Sequence, residues 1–149
     1  MSGLDGLTIP DLPVEENQEI FEIARKNDFK VVCFIAPTTT DQRVSLITQK
    51  AQGFLYYISV VGITGIRDKL PDDIIQNINK LKQMTNIPVA VGFGVSTSEH
   101  AKLIGTVADG VIVGSAIMRE IEKYAKEPSE ELVRGVGEFV GQLISGAKG

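Results

Sequence analysis

Short apolar runs alternate along this chain with longer stretches in which apolar residues recur every three or four positions. Runs that are apolar at nearly every position and rich in Val and Ile are the pattern of strands buried on both faces. Residues 6–10, 30–36, 54–59, 88–93 and 110–113 fit it. The amphipathic stretches predict helices over 15–27, 41–51, 72–85, 98–105, 116–125 and 129–147. Several boundaries carry their own signals. Pro71 suits a first helical position, with Asp72 and Asp73 complementing the helix dipole, and Ser96 and Glu99 have capping-box spacing. Strand, helix, strand at this repeat length is the signature of parallel βαβ units. No linker or low-complexity tract divides the chain, so residues 1–149 read as a single domain. A full eight-stranded barrel typically takes about 250 residues. The pattern therefore leaves two α/β architectures open, a doubly wound sheet of five strands or part of a barrel.

Composition narrows the function more than the fold. With 43% hydrophobic and 23% charged residues the chain is globular. A net charge of −4 argues against general nucleic-acid binding, which needs a basic face. No apolar run approaches the roughly 18–20 residues of a membrane span, and the first residues lack the basic and apolar regions of a signal peptide. The lone Cys33 sits within an apolar run and excludes an internal disulfide, so it reads as a buried, inert thiol. These features point to a cytoplasmic protein. No metal-ligand spacing is visible, and His100 reads as an exposed, uninvolved helix residue.

The chemistry concentrates where strands run into helices. Gly92-Phe93-Gly94-Val95-Ser96 and Gly114-Ser115-Ala116 each follow an apolar run and open onto a helical pattern. Glycine lets a phosphate approach the backbone, and the free amides of a helix N-terminus supply donors and partial positive charge. In βα barrels the loops after the last two strands often form such a site. Other segments carry two readings each. Asp11, bracketed by Pro10 and Pro13, is either a site or partner-contacting acid or a turn former. Thr38, Thr39 and Thr40 could bind substrate, but Thr40 or Asp41 capping the next helix explains them equally well. The stretch 56–65, with Gly62 and Gly65 framing Thr64, is either a loop that closes over ligand or a surface loop.

Taken in order, these stretches closely resemble the tryptophan synthase alpha subunit family. The resemblance rests on residues 4–16, 36–41 and 53–59, then on Gly62-Ile63-Thr64-Gly65, residues 88–96 and residues 108–116. It covers nearly the whole chain. It implies a (β/α) barrel fold and cofactor-free retro-aldol cleavage of indole-3-glycerol phosphate into indole and glyceraldehyde 3-phosphate. By the same resemblance Gly65, Gly94, Gly114 and Ser115 cradle the substrate phosphate. Ile35, Tyr56, Phe93 and Ile112 line the indole pocket, Thr64 belongs to the closing loop, and Asp11 faces a beta subunit. One departure bears on activity. The family's general base and the acid that pairs with the indole nitrogen lie on early strands, which would precede Leu4. The chain then corresponds to the last five βα units and is expected to be inactive alone, since placed proton-transfer groups contribute about 10²–10⁴-fold each. Thr8 is a smaller departure, falling where the family carries an aliphatic pocket residue. A partial barrel leaves two sheet edges unpaired, which predicts self-association or rearrangement into an open sheet. The alternatives to an enzyme part are an α/β module that binds a small phosphorylated ligand without turnover, or a scaffold for a beta-like partner.

Overall fold

The computed structural model describes residues 3–59, 73–92 and 94–149. Its elements follow in strict alternation: β1 (Gly6–Thr8), α1 (Gln18–Lys26), β2 (Lys30–Ile35), α2 (Asp41–Lys50), β3 (Leu55–Ile58), α3 (Ile74–Met84), β4 (Val89–Gly92), α4 (Ser98–Gly105) and β5 (Gly110–Val111), with α5 (Ser115–Lys123) and α6 (Ser129–Lys148) closing the chain. The five strands form one sheet in the order β1-β2-β3-β4-β5, every pair parallel. A doubly wound sheet reverses its strand order and carries helices on both faces. Here the order never reverses, so each crossover steps one strand in the same direction and the helices collect on one face. The sheet is an arc of a barrel.

Register fixes which side chains share a face, because directly paired residues of parallel strands point the same way and successive residues alternate. Ile35 pairs with Tyr57, which pairs with Val91 and, through it, Val111. Val31, Cys33, Ile35, Leu55, Tyr57, Val89 and Val91 form one core with Phe21 of α1, Val44 and Ile47 of α2, Ile78 and Leu81 of α3, Ile104 of α4 and Leu143 of α6. The opposite face carries Val32, Phe34, Tyr56, Ile58, Ala90, Gly92 and Gly110. That face is the concave side of the arc.

Local chemistry sets the boundaries. β1 ends at Thr8, two residues before its predicted limit, since Pro10 has no N–H to continue the ladder. α1 begins only at Gln18, because 13–16 close a turn in which Glu16 N donates to Pro13 O at 3.2 Å. Thr40 caps α2 by accepting from Arg43 N. The cap of α4 is Thr97, whose Oγ1 accepts from His100 N at 3.2 Å, and not the predicted Ser96. His100 is also corrected: it is buried, 9% exposed, beside Ala101 and Ile104. The predicted start of α3 at Pro71 and Asp72 lies outside the described residues; Asp73 stands at its N-cap. Asp109 joins the starts of β4 and β5: it accepts from Val89 N at 2.8 Å, returns its own N–H to Val89 O, and pairs with Lys82 at 2.8 Å.

The last helix is seated by bare backbone. A Cβ on Gly105 would meet the carbonyl of Ala147, and one on Gly146 the carbonyl of Ser98. α6 thus approaches α4 as closely as two backbones can.

Candidate functional site

The C-terminal ends of β3, β4 and β5 are laced together. Ser59, 1% exposed, places both its N–H and its Oγ on Gly92 O, at 3.1 and 3.0 Å. Ile112 N donates to Val91 O at 2.8 Å, carrying the β4–β5 ladder past the last assigned residue of β5. The two glycine turns therefore leave adjacent strands side by side. Tyr56 lies against the first of them: a Cβ on Gly92 would sit 2.6 Å from the ring's Cε1 and Cζ. Phe34 completes this patch, its ring centroid 5.0 Å from that of Tyr56 at an interplanar angle of 35°. Burial pushes the Tyr56 hydroxyl pKa upward, so it is a neutral hydrogen-bonding group on a mainly apolar surface.

The turns differ in what they offer an anion. Gly94 takes φ +85°, a left-handed conformation that costs other residues energy, while Val95 behind it is anchored in the core at 4% exposure. Beyond it, α4 is already served. Thr97 caps one amide, and the Glu99 carboxyl is held below its usual range, first by its own backbone N–H and then by the Thr97 hydroxyl. α5 is different. Its N-cap is Gly114, no side chain caps it, and its first turn holds no acid. A Cβ at Gly114 would meet nothing within 4 Å, so this glycine is not demanded by packing. Gly114 and Ser115 are both exposed. The open donors of this site are the first amides of α5, with Gly94 on the neighbouring turn.

Against the sequence expectations, Gly94, Gly114 and Ser115 fall on adjacent strand ends, and Tyr56 stands on the concave face beside them. Ile112 directly follows the ladder residue Val111, which places it on that same face. Ile35 does not join them: it is 3% exposed, in register with Tyr57, and packed into the helix-side core. Phe93, Thr64 and Gly65 lie outside the described residues. Asp11 is exposed on the turn between β1 and α1, and Thr8 is exposed in register with Val32. Sequence reasoning missed Phe34 and Ser59. Phe34 had no signal of its own, because a strand apolar at every position does not say which residues face inward. Among the described residues no group of His, Cys, Asp or Glu is placed to hold a metal ion, and no helix is long and apolar enough to cross a membrane.

Comparison with known proteins gives one answer throughout. The family profile described as tryptophan synthase alpha chain matches residues 1–147. A curated tryptophan synthase alpha chain of Chloroflexus aurantiacus is 40% identical over 144 residues, covering 97% of this chain and 53% of that protein. Its counterpart in Methanocaldococcus jannaschii is 41% identical over 126 residues, covering 85% and 45%. Among solved structures, a tryptophan synthase alpha chain of Legionella pneumophila superposes with a TM-score of 0.81 at 29% identity, covering 98% of this chain and 53% of that one. A chain from the tryptophan synthase α2β2 complex of Pyrococcus furiosus gives 0.78 at 39%, covering 93% and 56%. The chain spans about half the length of the relatives it matches.

Proposed function

The chain belongs to the tryptophan synthase alpha chain family, and on that premise we propose that it forms the phosphate-binding half of an indole-3-glycerol phosphate lyase. The observation that carries this is the bare N-terminus of α5: a glycine cap with open space above it, no competing acid, at the C-terminal end of the sheet. The amides of Gly114, Ser115 and Gly94 hold the phosphate, with Gly65 completing the cradle. Tyr56 and Ile112, joined by Phe34 and by Phe93, hold the indole against the concave face. Thr64 belongs to the loop that closes over the bound substrate.

The cleavage is a retro-aldol step and requires no cofactor. Its general base and the acid facing the indole nitrogen are carboxylates of the family's early strands. Asp5, Asp11 and Asp41 match other family positions and do not take over these roles. Residues 1–149 by themselves do not supply these carboxylates, so activity is expected only together with a polypeptide that carries those strands. Asp11 faces a tryptophan synthase beta chain, a reading supported by relatives that assemble as α2β2 complexes. The open backbone of the outermost strands favours self-association of the isolated chain, and the compartment is the cytoplasm.

The test is an amide NMR titration with indole-3-propanol phosphate, an unreactive mimic, followed by an activity assay after adding the complementary half. Saturable shifts at Gly94, Gly114 and Ser115 together with rescue are expected. Binding without rescue would make the chain a phosphate-binding module, and no shifts at these residues would remove the phosphate site. Concentration-dependent sedimentation reads the self-association.

A further inference from the structure

The segment between β1 and α1 presents Asp11, yet little of the fold lies beneath it. Its ladder stops at Thr8, so Cys33, Phe34 and Ile35 of β2 continue past β1 with no paired residue on that side. Below the turn is a cavity of about 110 Å³, walled by Ile9, Pro10, Leu12, Phe34, Thr39 and Arg43 among others. Val14, 5% exposed, is the segment's one fully buried core residue, and Leu12 packs partly against that core. What closes the segment comes from α2. Arg43 meets the Glu15 carboxylate with both ends of its guanidinium, Nη1 to Oε1 and Nη2 to Oε2, each at 3.2 Å. About two helical turns along, on the same side of α2, Lys50 donates its Nζ to Val14 O at 2.7 Å.

We propose that Arg43 is the positioning residue of the Asp11 turn: its two-pronged pair with Glu15, backed by Lys50 on the Val14 carbonyl, holds the turn over the cavity in the shape that a protein partner meets. The partner half of this statement rests on the beta-chain reading of Asp11 given above. A planar fork suits the task, because two parallel bonds fix direction as well as distance. With a void below, only Val14 and Leu12 anchor the segment by packing when these bonds are lost.

The experiment compares wild type with Arg43→Ala, Glu15→Ala, the exchanged pair Arg43→Glu with Glu15→Arg, and Asp11→Ala. Amide hydrogen exchange is followed at Asp11, Leu12, Val14, Glu15 and Glu16, and affinity is measured for the purified beta chain of the Pyrococcus furiosus complex. Arg43→Ala and Glu15→Ala are expected to speed exchange across the turn and to weaken the partner about two- to fivefold, the scale of a half-exposed ion pair. The exchanged pair is expected to restore both. Unchanged exchange in Arg43→Ala, or an exchanged pair no better than either single variant, overturns the proposal. If Asp11→Ala leaves the partner's affinity untouched, or wild type does not bind it, the partner reading fails. The positioning role is then decided by exchange alone.

Discussion

Replacing Gly92 by Ala tests the geometry of the concave face directly. The new Cβ would stand 2.6 Å from Cε1 and Cζ of Tyr56, where carbon atoms normally settle at about 3.5–4.0 Å. The ring must retreat by about 1 Å, toward a neighbourhood that includes Phe34 at 5.0 Å. Overpacking of this kind costs about 1–3 kcal/mol. Against it stands the lower entropy of an unfolded chain that carries Ala, which contributes about 0.4–1 kcal/mol. The net expectation is a loss of about 0–2.6 kcal/mol, read as a lower midpoint in denaturant unfolding with an unchanged slope. Gly110→Ala is the control on the same face, since its Cβ would find Ala90 Cβ at an ordinary 3.4 Å. It should stay within about 0.5 kcal/mol of wild type. The decisive comparison uses Tyr56→Ala as background. With the ring gone, Gly92→Ala has nothing to displace, so its cost should vanish and the coupling energy should reach about 1–3 kcal/mol. Equal costs in both backgrounds would refute the argument that Gly92 is there for Tyr56.

The two glycines proposed to hold a phosphate should separate stability from binding. Gly114→Ala is expected to leave the unfolding midpoint unchanged while weakening indole-3-propanol phosphate, because its methyl enters open space above α5; Gly94→Ala should also cost about 1–2 kcal/mol for its φ of +85°. A Gly114→Ala variant that binds as wild type would remove the proposed phosphate role of Gly114. Thr97→Ala should cost about 1 kcal/mol by denaturant unfolding and Ser96→Ala far less, since Thr97 is the residue that caps α4. Asp109 gives a pH dependence. Its carboxyl is held below the ordinary 3.8, first by Lys82 and then by Val89 N–H, so the folded state binds this proton less readily than the unfolded chain. The stabilisation is present above about pH 4 and is lost as pH falls below 3.8 through the lowered native value. Asp109→Asn should flatten that part of a stability profile measured from pH 5 to pH 2, and an unchanged slope there would remove Asp109 as its source.

Much of this molecule was readable from local pattern. The strands and helices fall where the apolar runs and amphipathic stretches put them, with ends displaced by a few residues at Pro10 and around residues 13–16. Proline without an N–H and a turn without periodicity account for those displacements. The family was readable because glycine, proline and acid recur at fixed places in order, and the glycine turns were readable as places where strands run into helices.

What the amino-acid sequence determined alone was thus the succession of βα units, the family, and the two turns where an anion could sit. The tertiary structure decided the rest. It settled between a doubly wound sheet and a barrel arc, because strand order is set by crossovers and leaves no trace in a strand's own residues. It put Phe34 on the concave face and Ile35 in the helix-side core, where a uniformly apolar strand carried no sign of either. It buried His100 and made Thr97 rather than Ser96 the cap of α4. It also distinguished two glycine turns that look alike in the sequence: α4 satisfies its own N-terminus, whereas α5 leaves its first amides bare. In each case the deciding contact joins residues distant along the chain or depends on local geometry within a single turn, and neither is visible to hydrophobic periodicity.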